Sequence, residues 1–412
     1  MNQQPVKLPD YSPDKFVDRE EETNKVMEKV DALVQGLALD RRTIVFTGER
    51  GTGKSWLLAH LRDRMKERGG ITAFLLNLDD YAAEDPLLAV MGVLKKFASD
   101  VLGRQPVTGV TLAEVSRALI PEVHRTLKTR PLAVLVDSAY ESDWKMLAVL
   151  EDYFLGPLAV EPEVLVVMTG RGRPYPWKTP ELRLKAEFED LRPFEKPETT
   201  TQQLQRQKPE AVPKAEEIHQ RSGGNPLANF LLASSYENLA QALDQVIKGL
   251  LETVPADQRD PVRRYLEALC VLRTFDEERI PAMLAAYYKD PTYRTQPFAQ
   301  SRRVREAIVR WAFARWDETQ GGYVIDEVIR TFVEHYLRED KTSRWQALHC
   351  AAYRLYERWA ADYPQSRERW QQEVDYHAAR LHEAGFSPKD CPSPKDQDQT
   401  SVELTTAAAV PA

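Results

Sequence analysis

Four segments in the first half of the chain are apolar almost without a break: Thr43 to Thr47, Ile71 to Leu78, Leu132 to Asp137 and Val164 to Thr169. A strand with one wet face alternates, whereas a strand covered on both faces does not, so these runs predict buried parallel strands. Between them the apolar residues recur at helical spacing. The pattern predicts helices from about Asp18 to Leu37, after Ser55, from Pro86 to about Leu102 and from Thr111 to Lys128. Asp18 is a candidate cap for the first of these, and Thr111 with Glu114 reads as a capping box. A short fifth strand fits near Glu187 to Leu191. Strands alternating with helices predict a parallel sheet with helices on both sides and ligands at the carboxyl ends of the strands.

From about Lys196 the strand pattern stops. Helical periodicity resumes, punctuated by Pro209, Pro213, the turn Ser222 to Leu227, and Val254-Pro255. Three helical segments between Pro261 and Arg310 precede a hairpin pattern from Trp311 to Tyr323, with Gly321-Gly322 at its bend. That order predicts a winged helix. Val328 to Leu337 is helical, two final helical segments with spaced aromatics and leucines follow, Ser343 to about Ala361 and Arg367 to Ala384, and Gly385 is suited to stop the last. The expected division is a flexible tail (1–13), an α/β nucleotide-binding domain (14–195), an all-α lid (196–254), a winged helix (255–340), C-terminal helices (341–386) and a disordered tail (387–412).

One motif gives this architecture a chemistry. The first apolar run passes into Gly48-Glu49-Arg50-Gly51-Thr52-Gly53-Lys54-Ser55, which fits G-x-x-x-x-G-K-[ST], and a helical segment follows. Glycines let such a loop curl its N–H groups around phosphate, Lys54 would reach the β- and γ-phosphates, and the Ser55 hydroxyl would ligate Mg²⁺. Gly48, Gly51, Thr52, Gly53, Lys54, Ser55 and Trp56 are therefore candidate nucleotide contacts. The third run ends on Asp137, placed to hold Mg²⁺ through water. A strand inserted between the two motif strands marks the ASCE-type P-loop fold. There a Glu usually follows the Asp; here Ser138 does, and serine is no base for water at neutral pH. Glu141 and Asp143 are nearby substitutes, though an acidic turn explains them equally, so slow hydrolysis is expected. Thr169-Gly170-Arg171-Gly172-Arg173 follows the fourth run, and Arg171 is the better placed cation for a γ-phosphate.

Composition narrows the rest. The chain has 412 residues, 42% hydrophobic and 29% charged, enough for more than one domain. A net charge of −7 argues against nucleic-acid binding by bulk charge, though not against a local basic face. Cys270, Cys350 and Cys391 lie far apart and suggest no disulfide framework, so a reducing, cytoplasmic setting is expected. No apolar run is long enough to span a membrane, and the N-terminus has no signal-peptide pattern.

Taken in order, Phe16-Val17-Asp18-Arg19-Glu20, the P-loop, Leu132 to Asp137, Thr169-Gly170-Arg171, Gly224-Asn225-Pro226-Leu227 and the winged helix resemble the STAND class of P-loop NTPases, which includes the NB-ARC and NACHT switch proteins. The resemblance covers roughly residues 14 to 385. It implies that Val17 and Arg19 lie near the adenine, that Pro226 touches the base, and that Arg171 contacts the γ-phosphate. It further implies ATP/ADP and Mg²⁺ as cofactors, slow ATP hydrolysis at most, and an ADP/ATP switch that controls oligomerisation or engagement of a separate partner protein in signalling or defence. In such proteins a winged-helix histidine usually meets the bound ADP; Asp326 stands in that place here.

Two other readings remain. A DNA-binding, initiator-like ATPase would use Arg302, Arg303, Arg305, Arg310 and Arg315, on and after the third helix of the winged helix. Against it stand the acidic total and the aromatic residues Trp311, Phe313 and Trp316, which suggest core. A nucleotide-bound scaffold that never cycles is the third reading.

Overall fold

The computed structural model describes residues 9–81, 84–103, 111–171, 174–234, 239–251, 254–311, 313–317 and 320–392. The chain divides into two compact units, Leu8–Ala233 and the residues from Ser234 onward. The first contains α1 (Glu20–Val34), β1 (Thr43–Thr47), α2 (Lys54–Arg68), β2 (Thr72–Asn77), α3 (Pro86–Leu102), α4 (Leu112–Leu127), β3 (Leu132–Asp137), α5 (Trp144–Leu150), α6 (Gly156–Ala159), β4 (Val164–Gly170), α7 (Pro180–Arg183), β5 (Ala186–Asp190), α8 (Pro197–Gln207), α9 (Ala215–Ser222) and α10 (Pro226–Ser234).

Its five strands are parallel, in the order β2-β3-β4-β1-β5. The uninterrupted apolar runs are explained by what covers each face. Val45, Val134, Val136, Val166 and Met168 point into a core completed by α3, α4 and α5. Ile44, Phe46, Ala133, Leu135, Leu165 and Val167 point the other way, against Val26, Val30 and Leu33 of α1 and Leu57, Leu58, Leu61 and Met65 of α2. Strand β5 lies at an edge and is mostly half-exposed. Lys25 and Lys29 of α1 pair with its Glu187, and Lys25 also with its Glu189. Such charges blunt an open sheet edge.

Two details depart from the sequence-based expectation. The Thr111–Glu114 capping box forms, but Asp18 does not cap α1. Arg19 occupies the cap position in the left-handed region at φ 76°, with no side-chain cap bond, since a guanidinium has no acceptor to offer the first-turn N–H groups; it donates instead to Thr52 O and Arg192 O.

The second unit contains α11 (Leu239–Leu250), α12 (Ala256–Leu269), α13 (Ile280–Tyr288), α14 (Phe298–Val309), the antiparallel hairpin β6 (Ala314–Asp317) and β7 (Gly322–Ile325), α15 (Glu327–Asp340), α16 (Thr342–Asp362) and α17 (Arg367–Glu383). Helices α12 to α14 followed by the hairpin make the winged-helix order, and Phe275 bridges to Tyr323 on the hairpin. Among the described residues no helix is long and apolar enough to cross a membrane.

The cysteine reading needs correction. Cys350 and Cys391 are joined by a disulfide across 41 residues, with their Cα atoms 5.2 Å apart. Helix α17 folds back along α16 and returns the chain to Cys350, a proximity that linear spacing could not reveal. Pro388–Asp390 forms a short 3-10 turn just before the bridge, inside the stretch expected to be tail, whose remainder from residue 393 lies outside the described residues.

The same pairing of α16 and α17 buries two histidines. His349 and His377 are fully enclosed, their Nδ1 atoms 2.9 Å apart, so one donates to the other. Glu334 of α15 sits 3.6 Å from the His349 Nε2 and accepts hydrogen bonds from Arg380. Burial holds both histidines below their ordinary pKa, His377 furthest. Burial alone would raise Glu334, but His349 and Arg380 outweigh it and hold it down at about 2. The unfolded chain takes up protons on histidine near pH 6.5 and the native state resists, so stability is lost as pH falls below about 6.5, by at most about 1.4 kcal/mol per histidine per pH unit. Thermal melts between pH 7.5 and 5 will show a falling midpoint, and His377→Gln will flatten that fall.

Candidate functional site

The loop between β1 and α2 is where the sheet meets its chemistry. Gly48 and Gly51 adopt φ of 149° and 83°; a Cβ on either would come within 2.6 Å of Leu191 O or 2.5 Å of Leu227 Cβ. The backbone is thus curled tightly, with neighbours on two sides. Lys54, buried, donates from Nζ to the carbonyls of Gly48 (2.9 Å) and Glu49 (2.6 Å), and Thr52 Oγ1 donates to Glu49 O (3.0 Å). Arg19 donates to Thr52 O at 3.1 Å and Arg192 O at 2.6 Å, and lies over the Phe194 ring. From the helical side, Asn225 Nδ2 donates to Arg50 O (2.9 Å) and Leu227 N to Gly51 O (3.2 Å).

A cavity of about 340 Å³ opens over this loop, within the range of small-molecule sites. Of the residues expected at the site, Val17, Arg19, Gly51, Thr52, Gly53, Lys54, Ser55, Trp56, Asp137, Arg171 and Pro226 all line it; Gly48 shapes the loop from behind. Pro226 is held in place by Gln203, whose Nε2 donates to its carbonyl at 2.7 Å. Phe16, Val17, Phe194, Leu227 and Phe230 add apolar side chains to the lining. A lining with both the polar loop and apolar side chains suits a ligand that carries charge and a flat apolar part.

At the strand ends the polar groups converge. Asp137 accepts from Thr169 Oγ1 and from Ser138 N, the latter at 3.0 Å. Arg171 is clasped by Glu141, with Nε to Oε1 at 2.7 Å and the backbone N to Oε2 at 3.0 Å. Asp143 lies apart: exposed, it caps α5 by accepting from Lys145 N. Arg173 is outside the described residues. Ser55 and Asp137 share the cavity wall, and a hydroxyl with a carboxylate is a donor set suited to Mg²⁺, which keeps most of its waters. Those two residues would hold the ion, which would neutralise phosphate charge.

Sequence reasoning missed Asp79, Asn225, Gln203 and Phe194. Asp79 follows β2 without any motif, and the other three reach the site from α8, α10 and the segment after β5. Asn225 in the turn before α10 and the polar Gln203 within α8 were the available signals.

In the second unit, Ser301, Val304 and Ile308 turn inward from α14, which leaves Arg302, Arg303 and Arg310 on its exposed face. Arg315 and Trp316 of β6 are exposed too, Trp316 by 51%. Trp316 is therefore not core, unlike the fully buried Phe313. Arg302 pairs with Glu306 on the same helix, and Arg305 pairs with Glu277 and lies over the Tyr323 ring. Asp326 stands just before α15, its N–H donated to Phe313 O at 2.9 Å.

No family model matches the chain. A curated relative, the ORC1-type DNA replication protein 1 of Sulfurisphaera tokodaii, is 26% identical over 129 residues, which is 31% of this chain and 30% of that protein. Among solved structures, the Aeropyrum pernix ORC1 protein in complex with DNA is similar with 17% identity, 82% of this chain, 96% of that chain and a TM-score of 0.44. Cdc6p from Pyrobaculum aerophilum is similar with 14% identity, 81% and 98% coverage and a TM-score of 0.42.

If Lys54 supplies a charge-assisted contact to phosphate, Lys54→Ala will weaken binding of a fluorescent ATP analogue by about tenfold or more. Equal titration curves for the two proteins would remove Lys54 from the site.

Proposed function

We propose that the chain is an ATP-binding, DNA-binding protein of replication-initiator type, whose nucleotide state governs its hold on DNA. The observation that carries this reading is the exposed basic face of α14, continued by Arg315 and Trp316 on the hairpin, in a chain that also has a P-loop cavity. A helix of a winged helix can enter the major groove while the hairpin touches phosphate or sugar. The curated DNA replication relative supports this initiator-like reading over one in signalling or defence. The acidic total does not oppose it, because a groove meets one face and not the net charge.

The nucleotide half of the proposal assigns Lys54 and the loop N–H groups to the phosphates, Ser55 and Asp137 to Mg²⁺, and Arg171 to the γ-phosphate. Val17 and Pro226 would flank the base, and Arg19 would act indirectly by bracing the loop. A switch reading finds support in α10. Its first turn is hydrogen-bonded to the P-loop through Asn225 and Leu227, and it is the last helix before the chain passes into the second unit. A change in the loop on nucleotide binding would act on that helix directly. Assembly of several copies on ATP binding belongs to the same reading.

The test is the affinity for duplex DNA over a range of salt, with ADP and with a non-hydrolysable ATP analogue. Binding is expected to weaken steeply with salt and to differ between the two nucleotides. Arg302→Ala with Arg303→Ala should weaken it and make the slope of log K against log salt shallower by about 1.8, the share of two phosphate contacts. No binding at low salt would overturn the DNA reading while leaving the nucleotide site untouched.

A further inference from the structure

Resting on the reading that the cavity takes ATP, we propose that Asp79, brought in from the end of β2, is the general base that activates water against the γ-phosphate. The residue after Asp137, where a carboxylate would serve directly, is Ser138. Its hydroxyl can pass a proton on but cannot keep one at neutral pH.

Among the described residues three carboxylates line the cavity: Asp79, Asp137 and Glu141. Asp137 already accepts from Thr169 and Ser138 N, at the position suited to the metal ion. Glu141 gives one oxygen to the Arg171 Nε and the other to its backbone N–H. Asp79 accepts from the Ser138 Oγ at 2.8 Å, and its side chain is open to the cavity.

The register of the sheet explains its position. Asn77 of β2 pairs with Asp137 of β3, so the residues just past Asn77 emerge beside Ser138. The Asn77 side chain accepts from Asp79 N at 3.1 Å and holds that turn. Ser138 itself has φ 57°, a left-handed conformation that a serine adopts only under constraint, and in it the hydroxyl is turned to Asp79. Loss of hydration at the cavity wall raises the Asp79 carboxyl above its ordinary range, with the charges of Glu141 and Asp137 acting in the same direction. A carboxylate so raised is a better proton acceptor.

In the step this implies, a water oxygen forms a bond to the γ-phosphorus. The bond from that phosphorus to the β–γ bridging oxygen breaks, and ADP departs with the electron pair. The water proton moves to the Asp79 carboxylate, directly or through the Ser138 hydroxyl, and then to solvent.

The experiment compares the full chain with Asp79→Asn and with Glu141→Gln, each checked for an unchanged melting midpoint. It measures affinity for an ATP analogue, affinity for ADP with aluminium fluoride (a stand-in for the transferring phosphoryl group), single-turnover hydrolysis, and the nucleotide recovered from protein loaded with ATP. For Asp79→Asn, ATP affinity should stay within about threefold, the aluminium fluoride complex should weaken, turnover should fall by about 100-fold or more, and ATP should be recovered intact. Glu141→Gln should keep a larger share of turnover. Undiminished turnover in Asp79→Asn, or ATP that the unsubstituted chain binds and never hydrolyses, overturns the role of Asp79 alone. An unsubstituted chain that binds no ATP overturns the nucleotide reading together with it.

Discussion

A phosphate loop has to present its N–H groups to one point, and a short glycine-rich segment does not hold that shape unaided. In this protein the curl is braced from several directions. Leu191 N donates to Thr47 O where the loop leaves β1, Arg19 reaches Thr52 O, and Asn225 and Leu227 bind Arg50 O and Gly51 O. The contacts come from three separate parts of the sequence, and each engages a backbone group that would otherwise need water. The position of α10, the left-handed start of α1 and the placing of the cavity all follow from the same small stretch of backbone.

The strand ends show a related economy of charge. At the strand ends Asp79, Asp137, Glu141 and Arg171 line the cavity together. Arg171 is held by Glu141, and Asp137 is satisfied by a threonine hydroxyl and a backbone N–H. An anionic ligand entering here would compete with Glu141 for Arg171, so the pair is suited to respond to an anion. In the second unit the arginines divide in the same manner. Arg305 is spent on Glu277 and the Tyr323 ring, while Arg302, paired with Glu306, and Arg303 and Arg310 are exposed. One stretch of basic sequence thus serves both to hold the winged helix together and to display charge.

Much of this was legible in the chain alone. Buried parallel strands carry no alternation, so β1, β3 and β4 announced themselves as apolar runs, and the P-loop followed from its spacing between a strand and a helix. The capping box at Thr111 was equally readable, because its hydrogen bonds are local. Where the expectation failed, the cause was distance along the chain. Asp18 has the chemistry of a helix cap, but tertiary contacts of its neighbour Arg19 set the backbone there. Cys350 and Cys391 meet because α17 reverses along α16. Trp316 has the composition of core, yet toward the bend of the hairpin it packs edge-on to Tyr323 and stays half exposed.

The sequence by itself determined the P-loop motif between a strand and a helix, the period of each main element and the order of the winged helix, since these rest on side-chain types at fixed local spacing. Only the tertiary structure decided which carboxylate stands beside Ser138, which arginines remain exposed and what braces the phosphate loop. Those depend on strand register and on close approach between segments far apart in sequence. Asn77 opposite Asp137, and therefore Asp79 beside Ser138, is a fact about the sheet that no local pattern carries.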